Sequence, residues 1–226
     1  MNFYVLTLFP EMILNGVNHS IMKRAVENKY ITVNAVNIRD FSENKHKKVD
    51  DYPYGGGAGM VMQPQPIYNA YQSIKDTVKH NTKVCYMSPQ GKPFTQKKAV
   101  ELSKEEDLIL LCGHYEGIDE RVIEEIVTEE ISLGDFIMTG GELAALTIID
   151  ATSRLLKNVL GKEESYLDES FSNNLLEYPH YTRPAEFLGK SVPEILLSGH
   201  HKNINEWREE KAYLRTKLKR PDLLKT

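Results

Sequence analysis

Apolar residues along this chain fall into two patterns, short continuous runs and runs spaced by three or four, and the two alternate from the first residues to about position 156. Asn2 to Phe9 is a β-branched and aromatic run that closes at Pro10, which predicts a buried strand. Pro10 then opens a helix, since proline is tolerated in a first turn. Ser20 to Asn28 places Ile21, Met22, Ala25 and Val26 on one helical face, and Ile31 to Ile38 alternates as a second strand. Arg39 to Met62 has no periodicity and predicts a long loop of the kind that is usually functional. Pro66 to Lys79 predicts a helix, Lys83 to Met87 a third strand ending in the turn Ser88-Pro89-Gln90-Gly91, and Lys97 to Lys104 a short helix.

The stretch from Asp107 to Leu146 organises the rest. Leu108 to Cys112 is one continuous apolar run, and Ile131 with Phe136, Ile137 and Met138 is read as a second. The first stops at Gly113 and the second at Gly140-Gly141. Such runs suit strands buried on both faces of a parallel sheet, and glycine at their ends lets main chain approach a ligand with no Cβ between. Two adjacent strand ends of this kind predict one backbone-lined crevice, flanked by Glu116, Asp119, Glu120, Arg121, Asp135 and Glu142. Glu142 to Leu156 follows as an apolar-faced helix with Arg154 late in it.

Beyond that helix the pattern changes. Gly161 to Asn174 is polar and aperiodic and predicts a flexible linker, after which Ile204 to about Lys219 reads as a basic helix. The expected organisation is an α/β domain over 1–160, a linker over 161–174 and a small helical domain over 175–226. Net charge is −4, unevenly spread. From Ser198 to Thr226 eight Lys or Arg face four acids, so this tail is +4 and the other 197 residues carry −8. An acidic body with a basic arm suits a partner rich in phosphate.

Composition narrows the chemistry. No apolar run reaches the roughly 18 to 20 residues of a bilayer span, and the opening residues lack a secretory pattern, which predicts a cytoplasmic protein with no membrane association. Cys85 and Cys112 both lie in strand-like runs and read as buried free thiols. There is no H-E-x-x-H, no cysteine pair at ligand spacing and no G-x-S-x-G, so no protein-bound metal site is expected and serine hydrolysis has no support. Gly55-Gly56-Gly57-Ala58-Gly59 lacks the Lys-Ser or Lys-Thr of a phosphate loop. A cofactor without phosphates, held by backbone groups at a glycine edge, fits what remains.

Five segments then carry a resemblance. They are Val49-Asp50-Asp51-Tyr52-Pro53-Tyr54-Gly55-Gly56-Gly57 with Gly59-Met60; Ser88-Pro89-Gln90-Gly91; Cys112-Gly113 with Tyr115-Glu116-Gly117 and Asp119-Glu120-Arg121; Gly134-Asp135 with Gly140-Gly141-Glu142-Leu143; and Pro179-His180-Tyr181-Thr182-Arg183-Pro184. Together, in order and over nearly the whole chain, they resemble the bacterial tRNA (guanine-N1)-methyltransferase family of the SPOUT superfamily. The resemblance implies a SPOUT-type α/β parallel sheet tied in a deep trefoil knot, an exception to the unknotted rule, plus a small helical C-terminal domain that binds tRNA.

It implies further a homodimer, with the active site at its interface, that moves a methyl group from S-adenosylmethionine to N1 of the guanosine 3′ of the tRNA anticodon. Carried onto this sequence, the cofactor residues are Tyr86, Met87, Ser88, Pro89, Gly91, Gly113, Glu116, Leu133, Gly134, Asp135, Phe136, Ile137, Met138, Gly140 and Gly141. Guanine N1 must lose its proton before it can attack, which requires a base, and the charge that builds on O6 calls for a cation, either Arg154 or Mg²⁺. The family's aspartate before the Ser-Phe pair is replaced here by Glu169, with Asp168 before it. Glu169 is the expected base and Asp168 the alternative. That departure also keeps open a second reading, a catalytically impaired tRNA-binding module of the same fold.

Overall fold

The structure, a computed structural model, describes residues 1–160, 169–171 and 173–225. It divides into two compact units, Met1–Gly161 and Lys162–Thr226. The first unit runs β1 (Asn2–Thr7), α1 (Pro10–Val17), α2 (Ser20–Glu27), β2 (Thr32–Asn37), a 3-10 turn (Ile38–Phe41), β3 (Asp50–Asp51), β4 (Val61–Met62), α3 (Pro64–Lys75), β5 (Lys83–Pro93), α4 (Gln96–Leu102), β6 (Asp107–Cys112), α5 (Glu120–Ile126), β7 (Glu129–Ser132) and α6 (Glu142–Ser153). Five strands pair in parallel in the order β2-β1-β6-β5-β7. The α/β class with a parallel sheet is therefore as the apolar pattern predicts.

Period-two alternation sends each central strand's side chains into two separate cores. Leu108, Leu110 and Cys112 of β6 pack with Phe3, Val5, Cys85 and Met87 and with Ile13, Ala145 and Ile148 of the helices on one face. Ile109 and Leu111 pack with Leu6, Val84, Tyr86 and with Ile67, Ala70 and Val122 on the other. All six residues of β6 are buried, and that is why the run reads as continuous rather than alternating.

Four expectations need correction. Phe136 to Met138 is not strand: β7 ends at Ser132, and Ile137 is 81% exposed. The Ser132 hydroxyl donates to the Gly134 carbonyl and accepts from its N–H (both 3.1 Å), closing a tight turn in which Gly134 takes φ +151°. Hydropathy alone cannot separate an apolar loop from a strand. The ends of β6 and β7 are also not adjacent, because β5 lies between them. The turn predicted at Ser88–Gly91 is a bulge inside a longer strand: Met87 and Lys92 both pair with Ile131, and the four residues between loop out. Finally, α6 buries Ala144, Ala145, Ile148 and Ile149, while Leu143 is exposed.

The aperiodic segment after β2 contains a two-residue hairpin, β3 against β4, and a tip with Gly55, Gly56, Gly57 and Gly59 all at positive φ. Tyr54 at that tip is fully exposed. The second unit consists of a small hairpin, β8 (Glu186–Phe187) with β9 (Lys190–Ser191), then α7 (Glu194–Leu197), α8 (His201–Lys219) and a final 3-10 turn (Pro221–Lys225). Helix α8 buries Ile204, Ala212 and Thr216. The Thr216 hydroxyl donates to the Ala212 carbonyl (2.7 Å) and accepts from Leu176 N–H (2.8 Å), tying the helix to the chain that precedes it. Asp168 and positions 161–168 of the expected linker lie outside the described residues. No helix among the described residues is long and apolar enough to cross a membrane.

Candidate active site

The bulge of β5 and the segments that follow β6 and β7 enclose a cleft of about 490 Å³, within the roughly 300–1,000 Å³ of small-molecule sites. Its wall comes from Tyr86 to Gln90 in the bulge of β5, from 113–118 after β6, from Glu130 to Gly134 at the end of β7, and from 136–141 leading into α6. Thirteen of the fifteen residues assigned to the cofactor line it: Tyr86, Met87, Ser88, Pro89, Gly113, Glu116, Leu133, Gly134, Phe136, Ile137, Met138, Gly140 and Gly141. Asp135 is exposed beside it. Gly91 stands outside the wall, where a Cβ would come within 2.4 Å of the Glu130 and Ile131 main chain, so its smallness lets β5 close onto β7.

Three glycines of the wall are demanded by packing. A Cβ on Gly113 would meet the Tyr86 hydroxyl at 2.8 Å, one on Gly140 would meet His114 Cε1 at 2.1 Å, and one on Gly141 would meet Cys112 Cα at 2.8 Å. The Gly141 N–H donates to the Gly113 carbonyl (3.0 Å), joining the two turns. In Gly141→Ala the obstruction is main chain, which cannot rotate away. The variant is expected to lose about 1–3 kcal/mol, the usual cost of overpacking, as a lowered midpoint in urea unfolding.

The loop between β3 and β4 is strapped to the same wall. Glu116 N–H donates to Met60 O, Met62 N–H to Gly117 O and Asp119 N–H to Met62 O, at 3.0 to 3.1 Å. Gly59, at φ +89°, lies where a side chain would meet the Glu116 carboxylate. Of the polar residues expected around the crevice, Glu116 and Glu120 line it. Asp119 instead caps α5 and grips Arg121 through paired hydrogen bonds of 2.8 Å, which hold its carboxyl below the usual range. Burial raises Tyr86 to about 12, partly offset by the Ile118 N–H, so the phenol stays protonated at neutral pH.

In the sequence His114 carries no signal and Glu142 reads only as a flanking acid. Glu142 is 1% exposed. Its carboxylate accepts from the Thr7 hydroxyl (2.6 Å) and lies 2.7 Å from His114 Nε2, at the first residue of α6. Burial opposes its ionisation, but the His114 and Thr7 hydrogen bonds outweigh burial and leave its pKa below the ordinary value. A lowered folded-state value means this stabilisation is present above the unfolded value of about 4.3. It is lost as pH falls through the folded value, so urea midpoints of the wild type should drop more steeply below about pH 4 than those of Glu142→Gln.

Arg154, just past α6, is half-buried and in the first unit, and Glu169 is in the second. There Glu169 borders a smaller cleft of about 230 Å³ with Leu175, Glu177, Tyr178 and Arg208, whose guanidinium lies 4.9 Å from the Tyr178 ring centre.

Fold and cleft together are those of an α/β enzyme that holds a small ligand against bare main chain at the carboxyl ends of its strands. Comparison with known proteins makes this specific. Residues 1–226 match the family described as tRNA (guanine-1)-methyltransferase TrmD. A tRNA (guanine-N(1)-)-methyltransferase of Ruminiclostridium cellulolyticum is 60% identical over 223 residues, covering 99% of this chain and 96% of that protein. One from Clostridioides difficile strain 630 is 60% identical over 226 residues, 100% and 98% of the two chains. One from Staphylococcus aureus strain Newman is 55% identical over 224 residues, 99% and 91%. The chain belongs to the tRNA (guanine-1)-methyltransferase family, as its five motifs indicate.

Proposed function

We propose that this protein transfers the methyl group of S-adenosylmethionine to N1 of the guanosine 3′ of the anticodon in tRNA. The observation that carries the reading is the cleft itself, where thirteen residues expected to hold the cofactor come together around glycines whose Cβ positions are blocked. The chain's residues fit the group: main chain near Gly113, Gly140 and Gly141 would meet its polar edges, and Leu133, Phe136 and Met138 would offer apolar contact to its planar base. When bound, S-adenosylmethionine supplies an electrophilic sulfonium methyl.

The remaining work falls to this chain. Glu169 takes the N1 proton, which frees the lone pair for attack in line with the methyl. Arg154 meets the negative charge that builds on O6. Mg²⁺ is the alternative cation for the O6 charge in this reading.

The same reading includes a trefoil knot in the first unit, a tRNA-binding role for the basic second unit, a cytoplasmic location and a homodimer with the site at its interface. Support for the dimer comes from apolar side chains exposed on adjoining helices, Met12 and Leu14 of α1 and Leu143 of α6. Its partner, tRNA, matches the basic run along α8.

Calorimetric titration with S-adenosylmethionine, followed by single-turnover methylation of an unmodified tRNA transcript, tests the reading. Saturable cofactor binding and methylguanosine product are expected. No product at saturating cofactor would favour the tRNA-binding module, and no cofactor binding at all would overturn the methyltransferase reading.

A further inference from the structure

Resting on the cofactor reading of the cleft, we propose that Glu142 and His114 form a positioning pair that holds two of the cleft's turns in their ligand-binding shape. The mechanism does not use Glu142, yet it is the most deeply buried acid among the described residues. A buried carboxylate is costly unless well paired, and an alanine or leucine in that first turn of α6 would pack without the cost. What the carboxylate adds is a junction of three chain segments.

From β1 comes Thr7, whose hydroxyl donates to Glu142 Oε1 (2.6 Å) and accepts from Phe9 N–H (2.9 Å) at the entry to α1. From the turn after β6 comes His114, 2.7 Å from Glu142 Oε2 and stacked edge-on against Phe9 with ring centres 5.0 Å apart. From the approach to α6 comes Gly140, bridged to His114 through the main chain and leaving its ring just enough room. His114 O also accepts from Gly117 N–H (3.1 Å), which shapes the turn carrying Glu116. The imidazole is thus a wedge between the 113–117 and 139–141 turns, and Glu142 sets its angle. Both turns line the cleft, His114 with them, whereas Glu142 does not and acts only through the histidine.

The pair acts on cofactor affinity, through the shape of the wall, and leaves proton removal at the target base untouched. Calorimetry with S-adenosylhomocysteine on Glu142→Gln and His114→Ala, with thermal melting to verify folding, tests this. Both variants should bind it roughly tenfold or more weakly, the scale of one lost charge-assisted hydrogen bond. The cofactor KM should rise in step, with kcat at saturating cofactor within about threefold of wild type, because uniform binding alone is lost. His114→Gln, whose amide can still donate to Glu142, should recover most of the affinity.

A purely structural role would lower the melting temperature and leave the affinity of the folded protein unchanged, and that result overturns the proposal. So does a fall in kcat with unchanged affinity. Should Glu142→Gln not fold, His114→Ala, at a partly exposed position, decides alone. Failure of the wild type to bind would overturn the cofactor reading, whereas binding by wild type and variants alike overturns only the positioning role.

Discussion

Replacing Glu169 by glutamine should slow single-turnover methyl transfer by roughly 10²–10⁴-fold, the range that a positioned general base contributes. The amide keeps the shape of the side chain and removes only its capacity to take a proton. Cofactor affinity should stay at the wild-type level, because Glu169 is in the second unit and the cleft proposed for the cofactor is lined by residues of the first. Asp168→Asn is the companion variant. A loss there as large as at Glu169, or a Glu169→Gln enzyme with normal transfer, would move the base to the neighbouring position. Glutamate reaches one methylene further than the family's aspartate, so Glu169→Asp separates the two geometries: restored or raised activity would mean that the site is shaped for the shorter acid.

The second large effect is expected at Arg154. Its alanine variant should lose roughly 10² or more in methyl transfer, as when a single oxyanion donor is removed, with calorimetric cofactor binding close to wild type. Arg154 follows the last turn of α6, where its N–H reaches Asp150 O (3.1 Å) and its charge suits the helix's negative end. Thermal melting of the variant separates a folding defect from a catalytic one. Arg154→Lys should recover part of the rate, since it restores charge without the planar fork. Unchanged transfer in the alanine variant would remove Arg154 from the reaction.

Much of the fold was legible because burial leaves a mark on composition. Leu108 to Cys112 is apolar at every position since both its faces are covered, and its glycine stop marks the mouth of the cleft. The same mark misled at Phe136–Met138, where Phe136 and Ile137 face a cleft and solvent and only Met138 packs against the core. Ser88–Gly91 reads as a turn because Ser, Pro and Gly favour turns, although a bulge within a continuing strand uses the same residues. His114 is silent in the sequence, as one histidine in a loop carries no periodic signal. Its meaning arises only where β1, β6 and α6 converge.

The order of residues by itself determined the α/β class, the family and, Gly91 aside, the glycines named at the edge of the cleft, because local patterns and ordered motifs are written along the chain. Tertiary structure alone decided that β5 lies between β6 and β7, that Gly91 serves strand packing, and that Thr7, His114 and Glu142 meet. Those are contacts between residues 28 to 135 positions apart, and no local pattern encodes which distant side chain will satisfy a buried charge.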